Sequence, residues 1–287
     1  MTEVLIRYPR LFASLVKFEH TIFALPFAYI GALLAVDGIP SAHDLLWITV
    51  AMVGARSLAM ALNRLIDAGI DARNPRTAAR ELPRGALEPW QVLVFAAASL
   101  TVFLVAVFQL APLVRWLWPI PVAAFVVYPY LKRWSWLSHF WLGAVDGLAP
   151  LGAWVAITNE LPWEAWALGG AVALWVAGFD LLYALFDLDV DREQGLHSLP
   201  ARFGVEAAFL GARLCHAGTV ALLALAGAGL PVGVFYWLGV AAVAVLLVYE
   251  HSLVSPRDRS RLDMAFFTMN GVISVTFCAF VLVDVLL

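Results

Sequence analysis

An all-α bundle that spans a membrane is the fold class this sequence predicts, and three observations predict it. Hydrophobic residues make up 63% of the 287 residues and charged residues only 14%, with a mean hydropathy of +0.86; a soluble domain is about 45–50% apolar and about 25% charged. Apolar runs near the length of about 20 residues that a helix needs to cross a bilayer recur along the whole chain. Basic residues gather in alternate connections between those runs, as the positive-inside rule requires. Most of the surface therefore has the lipid bilayer as its partner.

Nine spans are expected, at roughly 17–36, 44–66, 88–109, 113–130, 137–157, 164–186, 207–228, 232–251 and 264–286. Pro40, Pro83, Pro112, Pro162 and Pro231 fall in or beside the breaks, where a helix stops or starts. No low-complexity linker or separate soluble segment interrupts them, so residues 1–287 read as one transmembrane domain. Arg7 and Arg10 precede the first run, but it is broken by Lys17-Phe18-Glu19-His20 and lacks a small-residue cleavage site, unlike a signal peptide. Cys215 and Cys278 lie in apolar runs and read as buried thiols. A net charge of −3 gives no reason to expect a nucleic-acid partner.

The charges also orient the chain. With the N-terminus inside, the cytoplasmic connections hold Arg64, Arg73, Arg76, Arg80 and Arg84, then Lys132 and Arg133, then Arg192 and Arg202, then Arg257, Arg259 and Arg261. The opposite side holds only Arg115. An inner bacterial membrane with the acidic connections facing the cytoplasm is the expected location.

Those connections carry the chemistry. Asn63-Arg64-Leu65-Ile66-Asp67-Ala68-Gly69-Ile70-Asp71 closes the second span, and Asp187-Leu188-Asp189-Val190-Asp191 closes the sixth. Aspartates four apart share one helix face, so Asp67 with Asp71, and Asp187 with Asp191, each present two carboxylates together. The second pair follows the first by 120 residues, and an offset of four spans returns it to the same side, as in a parallel repeat of four helices plus four, with one extra. Paired acids at the ends of membrane helices are costly unless a cation sits between them. Hard oxygen ligands suit Mg²⁺, which takes one or two carboxylates together with phosphate oxygens. A diphosphate held by Mg²⁺ between two acidic helix ends follows.

At these residues the chain resembles the UbiA family of intramembrane aromatic prenyltransferases. The Asn-x3-Asp-x3-Asp and later Asp-x3-Asp elements match in order and separation, as do Lys17-Phe18-Glu19-His20-Thr21, Tyr128-Pro129-Tyr130-Leu131-Lys132-Arg133 and Phe266-Phe267-Thr268-Met269-Asn270-Gly271. The resemblance implies nine helices around a central cavity that opens sideways to lipid and is capped by the motif connections, about 64–87 and 187–206. It implies a polyprenyl diphosphate donor, Mg²⁺ as cofactor and an aromatic acid as acceptor. Carried over, Asp67, Asp71, Asp187 and Asp191 are the catalytic acids and, with Asn63, the metal–diphosphate positions.

Other residues keep two readings. Lys132 and Arg133 either bind diphosphate or only set topology, and Arg64 either binds diphosphate or, like Arg56 and Lys17, is a candidate cation for the acceptor's carboxylate. Lys17, Arg56, Asp180 and Tyr183 either serve the acceptor, by orienting it or taking its ring proton, or make structural contacts. Asp189 points away from the paired face and either supports the metal ligands from behind or faces solvent, and His139, His216 and His251, with no metal-ligand spacing, read as structural. The motif wording Asn74-Pro75-Arg76-Thr77 and Gly195-Leu196-His197-Ser198-Leu199-Pro200 resembles the branch that makes menaquinone by the futalosine route, which implies 1,4-dihydroxy-6-naphthoate as acceptor. The alternative is 4-hydroxybenzoate, for ubiquinone. A secondary transporter is the rival of another class, since it too has parallel repeats and membrane acids, but its acids belong near the bilayer centre rather than beside arginines at one face.

Overall fold

The computed structural model describes residues 11–16 and 21–287, and these contain no strand. Among the described residues nine long helices follow one another: α1 (Thr21–Val36), α2 (Ala42–Asp71), α3 (Pro89–Val107), α4 (Pro119–Leu131), α5 (Ser138–Thr158), α6 (Trp163–Tyr183), α7 (Val205–Gly229), α8 (Val234–Leu253) and α9 (Asn270–Leu286). A single turn, Val114–Leu117, leads into α4, and a π-helical stretch, Met264–Met269, leads into α9. Helices dominate because a bilayer core offers no water to backbone N–H and C=O groups, so each span must satisfy its own. Eight of the described segments are long and apolar enough to cross a membrane; the short one is α1, with 16 residues. Eight of the nine expected spans are thus found and the first as a shorter apolar helix, with two changes at the span ends that matter for the site.

The first change concerns α2. It continues past the expected limit at residue 66 and runs through Asp71, so the first acidic pair lies within its last two turns. The second concerns the end of α6, which does not carry its acidic pair on a continuous helix. The chain leaves α6 at Tyr183, tightens into the 3₁₀ turn Ala184–Phe186, and restarts as the short helix Leu188–Glu193. Asp187 stands at that junction with φ −104° and ψ 7°, outside the helical region. The pair still shares one side, because the Asp191 N–H donates to the Asp187 carbonyl at 2.7 Å.

Packing places α5 and α6 at the centre. α6 contacts α5 and α7, α2 contacts α3 and α4, and α1 lies on α5 and α9, which closes the ring of helices. The largest apolar cluster joins α1, α5, α6, α8 and α9 through Phe27, Leu151, Trp175, Tyr236 and Phe277. A second cluster, including Leu181, Leu188, Leu199, Phe209 and Met269, seats the connection between α6 and α7 on the bundle. Large side chains such as Trp90, Leu93, Leu214, Val245 and Val248 face outward, as expected of a lipid-facing surface.

Without a hydrophobic driving force between helices in lipid, close approach depends on small residues. At the α5–α6 crossing, a Cβ on Gly143 would sit 2.0 Å from the Ala173 carbonyl oxygen, and one on Gly147 would sit 2.5 Å from that of Gly169. The two glycines, one turn apart, let the backbones meet. That contact sets the distance between His139, four residues before Gly143, and Asp180, seven after Ala173.

Candidate active site

At one end of the bundle, α2, α4, α5, α6 and the two acidic connections enclose a cavity of about 160 Å³. Asn63, Asp67, Asp71, Asp187, Asp191, Lys132, Asp180 and Tyr183 all line it. Sequence reasoning therefore gathered eight residues that the fold brings together. Arg133 stands just behind, with its guanidinium on the Asp67 carboxylate at 3.1 Å and on the Ile66 carbonyl at 2.8 Å. Arg56 and Arg64 are not in the lining. Arg64 is only 5% exposed, with its Nε unpartnered, and lies within electrostatic reach of Asp71, Arg80 and Tyr183. Lys17 lies outside the described residues.

Each carboxylate has a definite partner. Lys132 Nζ lies 2.9 Å from Asp67, which is buried, so Asp67 is shared between Lys132 and Arg133. Arg80 Nη1 donates to both oxygens of Asp71 at 2.7 Å. Arg76 grips Asp187 with its Nε, at 2.8 Å, and its Nη2 together, and its Nη1 donates to the Tyr183 hydroxyl at 2.6 Å. Asn74 completes that corner, donating to Asp187 at 2.8 Å while its own oxygen accepts from the Arg76 N–H at 2.9 Å. Among the described residues Asp191 has no ion-pair partner.

The electrostatics follow these contacts. Burial alone would raise the Asp187 carboxyl, but the hydrogen bonds and charge of Arg76, with Asn74 and Lys132, hold it below the ordinary carboxylate range. Asp191 is displaced the other way, raised by burial and by the charge of Asp187. Arg76 is raised in spite of burial by Asp187 and Tyr183. The two acids of one pair are therefore unequal: Asp187 is neutralised by a bidentate guanidinium and Asp191 is not.

Further residues belong here that the sequence reading did not single out for this role. Asn74, Arg76 and Arg80 were visible as part of the first motif, but Asn74 and Arg76 were read only as branch wording and the charge of the two arginines only as topology. Ser138, His139, Tyr128 and Ser198 also line the cavity. His139, read as structural, makes a structural contact at the cavity wall: its Nδ1 lies 2.7 Å from the Asp180 carboxylate. No local pattern reveals this, because the partners are 41 residues apart on different helices. His216 and His251, by contrast, pair with each other at 3.0 Å and do not line the cavity. Cys215 and Cys278 are free thiols.

A cavity rimmed by paired acids and fixed cations, at the end of a membrane bundle, fits an acidic-motif transferase of phosphorylated lipids. Residues 24–272 match the model of the UbiA prenyltransferase family, and the chain belongs to that family. It is 32% identical over 277 residues to the 4-hydroxybenzoate octaprenyltransferase of Aliivibrio fischeri (strain MJ11), covering 96% of this chain and 93% of that protein. It is 33% identical over 260 residues to the protein of the same name from Cupriavidus necator, covering 89% and 90%. The apo structure of a UbiA homolog from Aeropyrum pernix K1 superposes with a TM-score of 0.84 at 33% identity, covering 93% of this chain and 98% of that one. A UbiA homolog from Archaeoglobus fulgidus bound to GPP and Mg²⁺ shares the fold, with a TM-score of 0.78 at 18% identity over 96% and 100% of the two chains.

Proposed function

We propose that this protein transfers a polyprenyl group from a polyprenyl diphosphate to the ring of an aromatic acid in quinone synthesis, with 4-hydroxybenzoate as acceptor. The observation that carries the reading is the cavity itself. Four aspartates from two connections face it together with Arg76, Arg80 and Lys132, a balance of charge suited to an anion held through a divalent cation. The choice of acceptor rests on the relatives, which are named for 4-hydroxybenzoate. They support the one-ring acid better than the 1,4-dihydroxy-6-naphthoate expected from the motif wording.

The donor set fits Mg²⁺. It offers carboxylate and amide oxygens from Asn63, Asp67, Asp71, Asp187 and Asp191, without thiols. Among the described residues no three or more acidic, His or Cys groups form a ready-made cage. Mg²⁺ uses one or two carboxylates and takes its remaining ligands from phosphate and water. When bound, Mg²⁺ supplies Lewis-acid neutralisation of the diphosphate leaving group. Arg76, Arg80 and Lys132 would be the cations that hold phosphate oxygens, the arginines through a planar fork and the lysine as a point charge. Tyr128 and Tyr183 line the same wall; the Tyr183 ring carries the Arg76 guanidinium 5.1 Å from its centroid, and the Tyr128 ring is the one that would favour a developing allylic cation. The apolar bundle keeps water from quenching it.

The connections are assigned to the cytoplasmic side on the arginine bias, and one transmembrane domain carries the whole activity. The test is direct: purified full-length protein in detergent, a long-chain prenyl diphosphate and Mg²⁺, with each acid supplied in turn. Higher kcat/KM for 4-hydroxybenzoate supports the reading. Preference for the naphthoate would reject the acceptor while leaving the diphosphate site in place, and no transfer to either would reject the function.

A further inference from the structure

The carboxylates of the cavity differ in what holds them. Asp67, Asp71 and Asp187 are closed by lysine or arginine. Asp180 is held instead by a histidine, through one oxygen only: His139 Nδ1 lies 2.7 Å from Oδ2. Among the described residues no donor reaches its other oxygen, and the side chain is 14% exposed at the cavity wall. Asp67, Asp71 and Asp187 face fixed cations, whereas Asp180, among the described residues, meets only a histidine and leaves one oxygen open to a proton arriving from the cavity. The Tyr183 hydroxyl, the other candidate, accepts from Arg76 and is turned toward the diphosphate end.

The histidine is fixed from both sides. Its Nε2 accepts from the Leu199 backbone N–H at 3.2 Å, so the proton sits on Nδ1 and points at Asp180. Leu199 belongs to the connection that carries Asp187 and Asp191. That connection is pinned again where the His197 N–H donates to the Lys132 carbonyl at 2.7 Å. The backbone turns back to make both contacts at Gly195, with φ +68°, a conformation that glycine adopts at little cost. Docking of the second acidic connection thus orients His139, and His139 orients Asp180.

We infer that Asp180 is the base that takes the ring proton, and that His139 is its positioning residue, coupling it to the seated second acidic connection. The inference rests on the function proposed above. In the step, the ring carbon forms a bond to the allylic carbon as the carbon–oxygen bond to diphosphate breaks, its electron pair leaving with the diphosphate. The ring C–H pair then returns to the aromatic system, and the proton passes to Asp180 Oδ1. His139 keeps its own proton throughout and donates it as a hydrogen bond to Oδ2.

The test uses 4-hydroxybenzoate deuterated at the ring carbons beside the hydroxyl, with the full-length protein, a prenyl diphosphate and Mg²⁺. For the wild type, diphosphate departure sets the rate and the deuterated and ordinary acids turn over alike. For Asp180→Asn, kcat falls on the order of 10²–10⁴-fold and the deuterated acid becomes distinctly slower, because proton loss now limits. His139→Ala loses about 10–100-fold with the same isotope effect, while KM for the diphosphate stays within about twofold, the diphosphate contacts being untouched. His139→Asn, whose amide nitrogen takes the place of Nδ1, recovers most of the rate and abolishes the isotope effect. Wild-type kcat without an isotope effect in Asp180→Asn overturns the base. Equal losses in both His139 variants without an isotope effect overturn the positioning role, and these readings need no stable Asp180 variant. Absence of transfer by the wild type to any acid overturns the underlying function and this inference with it, an outcome distinct from the others.

Discussion

Gly143→Ala is expected to disable the site from a distance. The new Cβ would sit 2.0 Å from the Ala173 carbonyl oxygen and 3.2 Å from the Ala177 Cβ. Both obstacles belong to α6, and the nearer is backbone, so no rotamer relieves the clash. Ordinary contact begins near 3.4 Å, so α5 and α6 must part locally by about 1.4 Å. Overpacking of this kind costs about 1–3 kcal/mol, which corresponds to a fall in Tm on the order of 5 °C. One helical turn away, the 2.7 Å contact of His139 with Asp180 would open to about 4 Å, beyond hydrogen-bond range. Gly152→Ala is the matched control, on the same helix with nothing within 4 Å of its added Cβ. Thermal unfolding in detergent and prenyl-transfer turnover are measured for both. The reasoning is refuted if the two variants melt together and turn over alike.

Further outcomes are expected at the charged groups and in the membrane. Asp67→Asn and Asp191→Asn should fold, as judged by unfolding temperature, yet lose on the order of 10²–10³ in turnover, and chelation by EDTA should silence the wild type; full activity in EDTA would remove the metal from the mechanism. Lys132→Ala, which frees Asp67 from its 2.9 Å partner, should raise KM for the prenyl diphosphate about tenfold and leave that of the acceptor nearly unchanged; a change confined to the acceptor would sink the anchoring role. On a background with Cys215 and Cys278 replaced, Ala72→Cys should react with an impermeant thiol reagent only from the cytoplasmic side and Glu160→Cys only from outside; the reverse pattern would invert the topology.

How much could be read without the fold differs from residue to residue. Composition and the spacing of apolar runs determined the helical membrane bundle, because the bilayer leaves the backbone almost no alternative to helices. The spacing of Asp67 with Asp71 and of Asp187 with Asp191 determined the two acidic corners, since i and i+4 share a face whether the segment is a long helix or, as at Asp187, a restarted one. The same reasoning could not divide the arginines. Arg64 lies beside Asn63 and Asp67 in the chain yet is buried and does not line the cavity, whereas Arg76 and Arg80, farther along, grip Asp187 and Asp71. A side chain's direction off the end of a helix depends on how the following turns fold back.

His139 marks the limit most clearly. Nothing in Ser138-His139-Phe140 announces a functional group, and its two partners, Asp180 and Leu199, are 41 and 60 residues away. Helical periodicity carries information over a few turns of one segment. Which helix lies against which, and at what separation, is decided by contacts such as Gly143 on Ala173, where the absence of a side chain is what brings two distant stretches together.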